Sequence, residues 1–232
     1  MRNRDARVAG FLYLIGVLLG FFALMYLPDR FIKPGDAVAT AHAIAANEFL
    51  FRVAIVTDVV AGIVWLLIVL ALYQLLRDVD SVQAALMVLF GALLQVPFYF
   101  ANALNYVAAL LFVGPTGFLS AFSETQRDAL AMLFLRLHHY ELFLSFVFAG
   151  LWLFPFGILV YKSGFLPRLL GIWLVVDGFG WLAMFLSAFL WPDSLDAVLR
   201  ITSPIRFAEI AIMLWLLIVG ARTLGAPGAA RM

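Results

Sequence analysis

The chain contains no cysteine. That excludes disulfides, thiolate metal sites and cysteine nucleophiles together, and it leaves the redox compartment open. Charge is scarce too: 12% of the 232 residues are charged, against about 25% in ordinary soluble proteins. The formal net charge of +1 gives no electrostatic basis for binding nucleic acid. The only lysines are Lys33 and Lys162, both in or beside loops, so none is placed to form a buried Schiff base. Neither a phosphate-cradling glycine loop nor a Gly-x-Ser-x-Gly elbow occurs. What fills the chain instead is apolar: 66% of the residues are hydrophobic, and 23 are phenylalanine. A soluble domain of this size could not hide so much apolar surface, so the solvent for most of the chain is lipid.

Six apolar segments can each cross a bilayer core that needs about 20 helical residues. They run from Val8 to Leu27, Leu50 to Leu76, Ala84 to Val113, within Leu130 to Tyr161, within Leu169 to Trp191 and within Ile205 to Val219. The first is expected to stop at Pro28. Asp36 caps a short outer-loop helix, "AVATAHAIAANE", that is expected to run on into the second span. Ser123 with Gln126 makes a capping box for the fourth. Pro167 opens the fifth, and Ser203 followed by Pro204 reads as N-cap plus proline at the start of the sixth. Pro97 and Pro155 fall inside spans and should kink them or free a carbonyl. The fold class is therefore all-α: a single polytopic six-helix transmembrane bundle over residues 1–232, with a flexible tail at 222–232.

Arg2, Arg4 and Arg7 precede the first apolar run like the basic region of a signal peptide. The run is as long as a span, and no small-x-small cleavage site follows it, so an uncleaved first helix is expected. Six spans put both termini on one side. Eight basic residues lie there (Arg2, Arg4, Arg7, Arg77, Lys162, Arg168, Arg222 and Arg231) against four on the other (Arg30, Lys33, Arg127 and Arg200). The positive-inside rule then places both termini in the cytoplasm, in a plasma membrane.

Against this background the charged residues within spans stand out. Arg52 and Asp58 lie in the second span, Asn102, Asn105 and Tyr106 in the third, and Arg136, His138, His139 and Glu141 in the fourth; Arg206 and Glu209 open the sixth. On the six-span topology they gather in the outer half, and only Asp177 lies toward the cytoplasmic half. Gln95, Tyr99, Asn102 and Tyr106 step by four, three and four, which makes one polar stripe. His138 and Glu141 share a face, as do Arg136 and His139, and Arg206 and Glu209, also three apart, can pair on their own helix. Arg52 points about 120° from Asp58 in a helix of 3.6 residues per turn, so the two need separate partners. Each charge at a helix centre opposes insertion by about 2.5 to 3.5 kcal/mol. Such groups must face one another or a wet cavity.

Two readings follow for the cluster of Arg52, Asp58, Asn102, Asn105, His138, Glu141, Arg206 and Glu209. It is either interhelical glue or a pocket for a small ligand, a lipid head group or a proton path. In the pocket reading the arginines grip an anion, while Asp58 and His138 orient it or respond to pH. Haem is disfavoured, because the adjacent His138 and His139 point about 100° apart and His42 lies in an outer loop helix. A catalytic zinc would need three protein ligands, and only His138 and Glu141 share a face, so no metal and no cofactor is expected. The cytoplasmic turn "YKSGFLPRLLG" reads as a tight connection. In it Gly164 ends one helix, Pro167 starts the next, and Lys162 and Arg168 meet lipid head groups.

"YKSGFLPRLLG", with "LHHY" some two dozen positions earlier, resembles a bacterial membrane family known as domain of unknown function 4386. "NEFLFRVAIVTDVV" and the opening "RVAGFLYLIGVLLG" are similar to the same family. The resemblance marks Arg52, Asp58, His138, Tyr161, Gly164, Phe165, Pro167 and Arg168 as family-type positions, and it implies a multi-helix membrane protein without an assigned activity. The chain departs from the pattern at Arg136 and His139. The function expected is a non-enzymatic binding or accessory protein. Its partners would be membrane lipids and other membrane subunits. The alternatives are a structural subunit of a larger complex and an intramembrane enzyme using His138 and Glu141 as acid and base.

Overall fold

The computed structural model describes residues 2–114 and 117–221; the expected flexible tail at 222–232 lies outside them. Among the described residues the fold is all helix, with no strand. Helix α1 covers Arg2–Phe21, a π turn follows at Phe22–Tyr26, and α2 covers Leu27–Phe31. Then come α3 (Ala37–Ala46), α4 (Glu48–Leu76), α5 (Ser81–Val88), a π turn at Leu89–Leu94 and α6 (Gln95–Val113). The long helix α7 spans Glu124–Lys162 and α8 spans Arg168–Leu190. The chain closes with α9 (Leu195–Thr202), α10 (Phe207–Leu214) and a π turn at Trp215–Val219.

Among the described residues five helical stretches are long and apolar enough to cross a membrane: Glu48–Leu76, Ser81–Val113, Glu124–Lys162, Arg168–Leu190 and Pro192–Val219. Helix α1 is not among them, because Arg2, Arg4, Asp5 and Arg7 occupy its first two turns and its apolar part begins only at Val8.

Several start signals act as expected. The Asp36 carboxylate accepts from Ala39 N at 2.8 Å and caps α3. Ser123 and Gln126 exchange reciprocal bonds of 2.9 and 3.3 Å before α7. Other expectations are corrected. The first helical stretch does not stop at Pro28: the residue four before it, Leu24, lies in the π turn, whose wider spacing keeps the proline ring off the preceding carbonyl. The same device precedes Pro97, with Leu93 in the second π turn. Helix α3 does not run on into α4, because Asn47 breaks it at φ −134°. Ser203 does not cap α10. It ends α9 in helical geometry, and a turn through Pro204 separates it from Phe207.

The chain forms two compact units. One comprises Ile15–Leu66 and Gln95–Ser145. Its core is Phe31, Ile44, Phe51, Ala54, Tyr106, Ala109, Leu110, Ala131 and Leu135, with Phe51 edge-on to both Phe31 and Tyr106 at 5.2 and 5.3 Å. We call this the amide unit. The other comprises residues up to Leu14, Leu67–Leu94 and residues from Phe146 on. There α7 and α8 approach through two glycine pairs. A Cβ on Gly157 would stand 2.6 Å from the Gly171 carbonyl, and one on Gly150 would stand 2.8 Å from the Gly178 carbonyl. Both pairs repeat after seven residues, the period at which two helices keep one seam in contact. This is the glycine unit.

Candidate functional site

In the amide unit, α4 supplies Asp58 and α7 supplies His138. The imidazole Nε2 lies 3.0 Å from Asp58 Oδ2, and the two side chains are only 6% and 15% exposed. Tyr106 of α6 stacks on the imidazole at 3.8 Å, which fixes the ring plane. Helix α6 is tied to α7 by neutral amides. Asn102 Nδ2 donates to the backbone oxygen of His138 at 3.1 Å. Asn105 Nδ2 donates to Asn102 Oδ1 at 3.0 Å and to Glu141 Oε2 at 2.9 Å. Gln95 donates to the Tyr99 hydroxyl at 2.5 Å one turn away. The polar stripe of α6 therefore forms, with Gln95, Asn102 and Tyr106 all buried. A void of about 10 Å³ lies against Tyr106, lined also by Phe31, Phe51, Ala54 and Leu135. That is room for about one water.

Arg52 takes a different place. It pairs with Glu48 one turn earlier on α4 at 2.6 Å, and its side chain is 60% exposed. This corrects the expectation of a partner on another helix: the i,i+4 spacing to Glu48 satisfies Arg52 within α4. Arg136 and His139 are also exposed, and His139 meets Phe143 edge-on at 5.0 Å.

Arg206 and Glu209 belong to the glycine unit, and they find partners on other helices instead of pairing with each other on their own. Glu209 Oε2 accepts from the Tyr13 hydroxyl of α1, and Oε1 accepts from Trp181 Nε1 of α8 at 3.2 Å. The Arg206 guanidinium lies over the Trp181 ring, 5.9 Å from its centroid. Asp177, one turn before Trp181, is fully buried, and neither of its oxygens has a hydrogen-bond partner. A tyrosine and a tryptophan inside apolar helices were the only signals for these contacts, and both residue types serve equally well as core.

The turn between α7 and α8 is closely built. Gly164 adopts φ +70°, which favours glycine. Ser163 Oγ accepts from Leu166 N at 3.1 Å. Phe165 is buried beneath Arg2, and Arg168 lies 5.5 Å from the Tyr161 ring centre. Pro167 sits at the N-cap of α8. Lys162 bonds Asp80 at 2.8 Å, and that contact holds the Asp80 carboxyl below its usual range. Alongside, a groove of about 370 Å³ runs over Gly157, Ile158, Gly171 and Val175.

Among the described residues no three His, Asp or Glu side chains come together as a metal site. Comparison with curated proteins and with solved structures returned no match. The match that was found covers nearly the whole chain, from Val8 to Gly220, and is to "Domain of unknown function (DUF4386)". The chain belongs to that family.

Proposed function

We propose that this is a six-span protein of the bacterial plasma membrane with both termini in the cytoplasm. On this reading it is a non-enzymatic binding or accessory protein, and the Asp58–His138 contact is the latch of its binding site. The sixth span is the α1 stretch, continued through its π turn into α2. One observation carries the reading: an ionisable acid–imidazole pair, 3.0 Å apart and largely buried, joins α4 to α7. Where α6 is joined to α7 through the amide side chains of Asn102 and Asn105, the α4–α7 contact uses two ionisable groups. Imidazole is the side chain whose charge changes most readily near neutral pH, and ionisable groups at membrane depth are by default functional.

The void beside Tyr106 holds only about one water. A small polar ligand or lipid head group therefore enters by displacing one member of the pair, with Asn105 and Glu141 offering the next donor and acceptor. Native mass spectrometry of the full chain, extracted in mild detergent, tests this. The wild type is expected to retain a bound small molecule or lipid that Asp58→Asn and His138→Gln both lose. Equal retention by all three proteins would count against the latch. Recovery of a stoichiometric protein partner instead would favour the structural-subunit reading.

A further inference from the structure

The most exacting polar group in the molecule is Asp177. It is 0% exposed, and both carboxylate oxygens lack a hydrogen-bond donor. It makes no ion pair among the described residues. A buried carboxylate left in that state is costly in any apolar surrounding, so something must neutralise it.

Its neighbours show what that could be. Glu209 and Arg206, at the start of α10, are the charged groups within electrostatic reach. Helix α1 contributes Tyr13, whose hydroxyl is used by Glu209. Helix α9 contributes Thr202, which lies beside Gly180 and Asp177 Oδ1 and donates its hydroxyl to the Val198 carbonyl at 2.8 Å. Helix α7 faces α8 here with Gly150 and Phe146, which carry no charge. Glu209 has its two donors, Tyr13 and Trp181. Arg206 Nε is itself buried without a partner, and its guanidinium is spent on the Trp181 ring. Two carboxyls and one guanidinium leave one negative charge unbalanced when both acids are ionised. Gly180 leaves the space beside Asp177 free of a side chain: a Cβ there would stand 3.8 Å from Asp177 Oδ1.

We propose that Asp177 and Glu209 form a binding site for a single monovalent cation, either a proton or an alkali ion, closed by Tyr13, Trp181 and Arg206. One added positive charge balances the cluster. A divalent ion would overshoot it and would also lack a third carboxylate or imidazole ligand. The site is built wholly within the glycine unit and does not depend on the Asp58–His138 latch.

The test uses the full chain in nanodiscs. The unfolding midpoint is followed as sodium chloride replaces N-methylglucamine chloride at constant ionic strength. The infrared band of a protonated carboxylic acid is followed as pH is varied without sodium. An alkali site gives a saturable rise of about 2–4 °C, as expected for ligand binding worth a factor of several in the folding equilibrium, and Asp177→Asn abolishes it. A proton site gives no sodium effect but a titrating carboxylic acid band that Asp177→Asn removes. Should Asp177→Asn fail to fold, Glu209→Gln takes its place, and the two wild-type readouts still decide. No sodium effect and no titrating buried acid in the wild type would overturn the proposal.

Discussion

Asp58 and Asp177 are both acids in the middle of strongly apolar helices, and the fold treats them oppositely. Asp58 has an imidazole at 3.0 Å and keeps a small share of its surface open. Asp177 has no donor and no open surface. A paired acid acts as part of the packing, so its partner's loss is felt as instability. An unpaired one is a charge waiting for a counter-charge, and its removal relieves the structure. The two units differ in the same sense. One closes its helices with hydrogen bonds from asparagine amides between α6 and α7, the other with glycine pairs between α7 and α8.

His138→Ala is the sharpest way to break this contrast. It leaves Asp58 largely buried without its partner, and breaking a buried pair from one side is worth about 3–5 kcal/mol. Thermal unfolding in nanodiscs is expected to show the largest drop of any substitution considered. The double variant Asp58→Asn, His138→Ala should recover a good part of it, because no charge is then stranded. Equal losses in the single and double variants would mean that the imidazole acts only as filler against Tyr106.

Asp177→Asn should move stability the other way. In sodium-free buffer, at a pH high enough to empty the site of its cation, no contact is lost and a buried unpartnered charge disappears, so the midpoint rises by the equivalent of about 1–3 kcal/mol. A fall as large as that of His138→Ala would show that Asp177 has a structural partner, and the contrast between the two aspartates would collapse.

The glycine seam comes next. Gly157→Val forces a side chain into the 2.6 Å approach to the Gly171 carbonyl, and overpacking of this kind costs about 1–3 kcal/mol. In the amide unit, Asn105→Ala removes two bonds at once. Polar contacts between membrane helices average about 0.6 kcal/mol each, so its loss should be smaller than that of Gly157→Val. A reversed order, measured as unfolding midpoints side by side, would mean that amides and not small residues set the packing strength.

What could be read from the sequence follows the same division. Spans and caps were legible because composition and i,i+3 signatures are local: Asp36, and Ser123 with Gln126, act as their spacing implies. The π turns before Pro28 and Pro97 were not, because they depend on how each proline ring meets the helix before it. Ser203–Pro204 misled because a cap and a break between two helices use the same letters. For the candidate site, the α6 stripe was legible from its period. The allocation of Arg206 and Glu209 to Tyr13 and Trp181 was not, since Tyr13 lies 196 residues from Glu209 in the chain and helix rotation decides which groups meet.

The smallest effect expected is at Asp80 and Lys162, an acid–base pair at the ends of α5 and α7 and the exposed counterpart of Asp58–His138. Lys162 donates to Asp80 at 2.8 Å, and Asp80 also caps α5 through Gln83 N at 3.1 Å. The hydrogen bond from Lys162, followed by that from Gln83, lowers the Asp80 carboxyl below its ordinary value of 3.8. A folded-state value below the unfolded one means stability that is fully present above pH 3.8 and lost as pH falls through the lowered value. Lys162→Met should therefore cost a small amount of stability that is constant through the neutral region and disappears as pH falls through the lowered value, where both proteins carry the protonated acid, and added salt should shrink the difference further. A pH-independent loss of the same size would assign Lys162 to the packing of the α7–α8 turn, and the contrast between exposed and buried acid pairs would then rest on position in the fold and not on solvent.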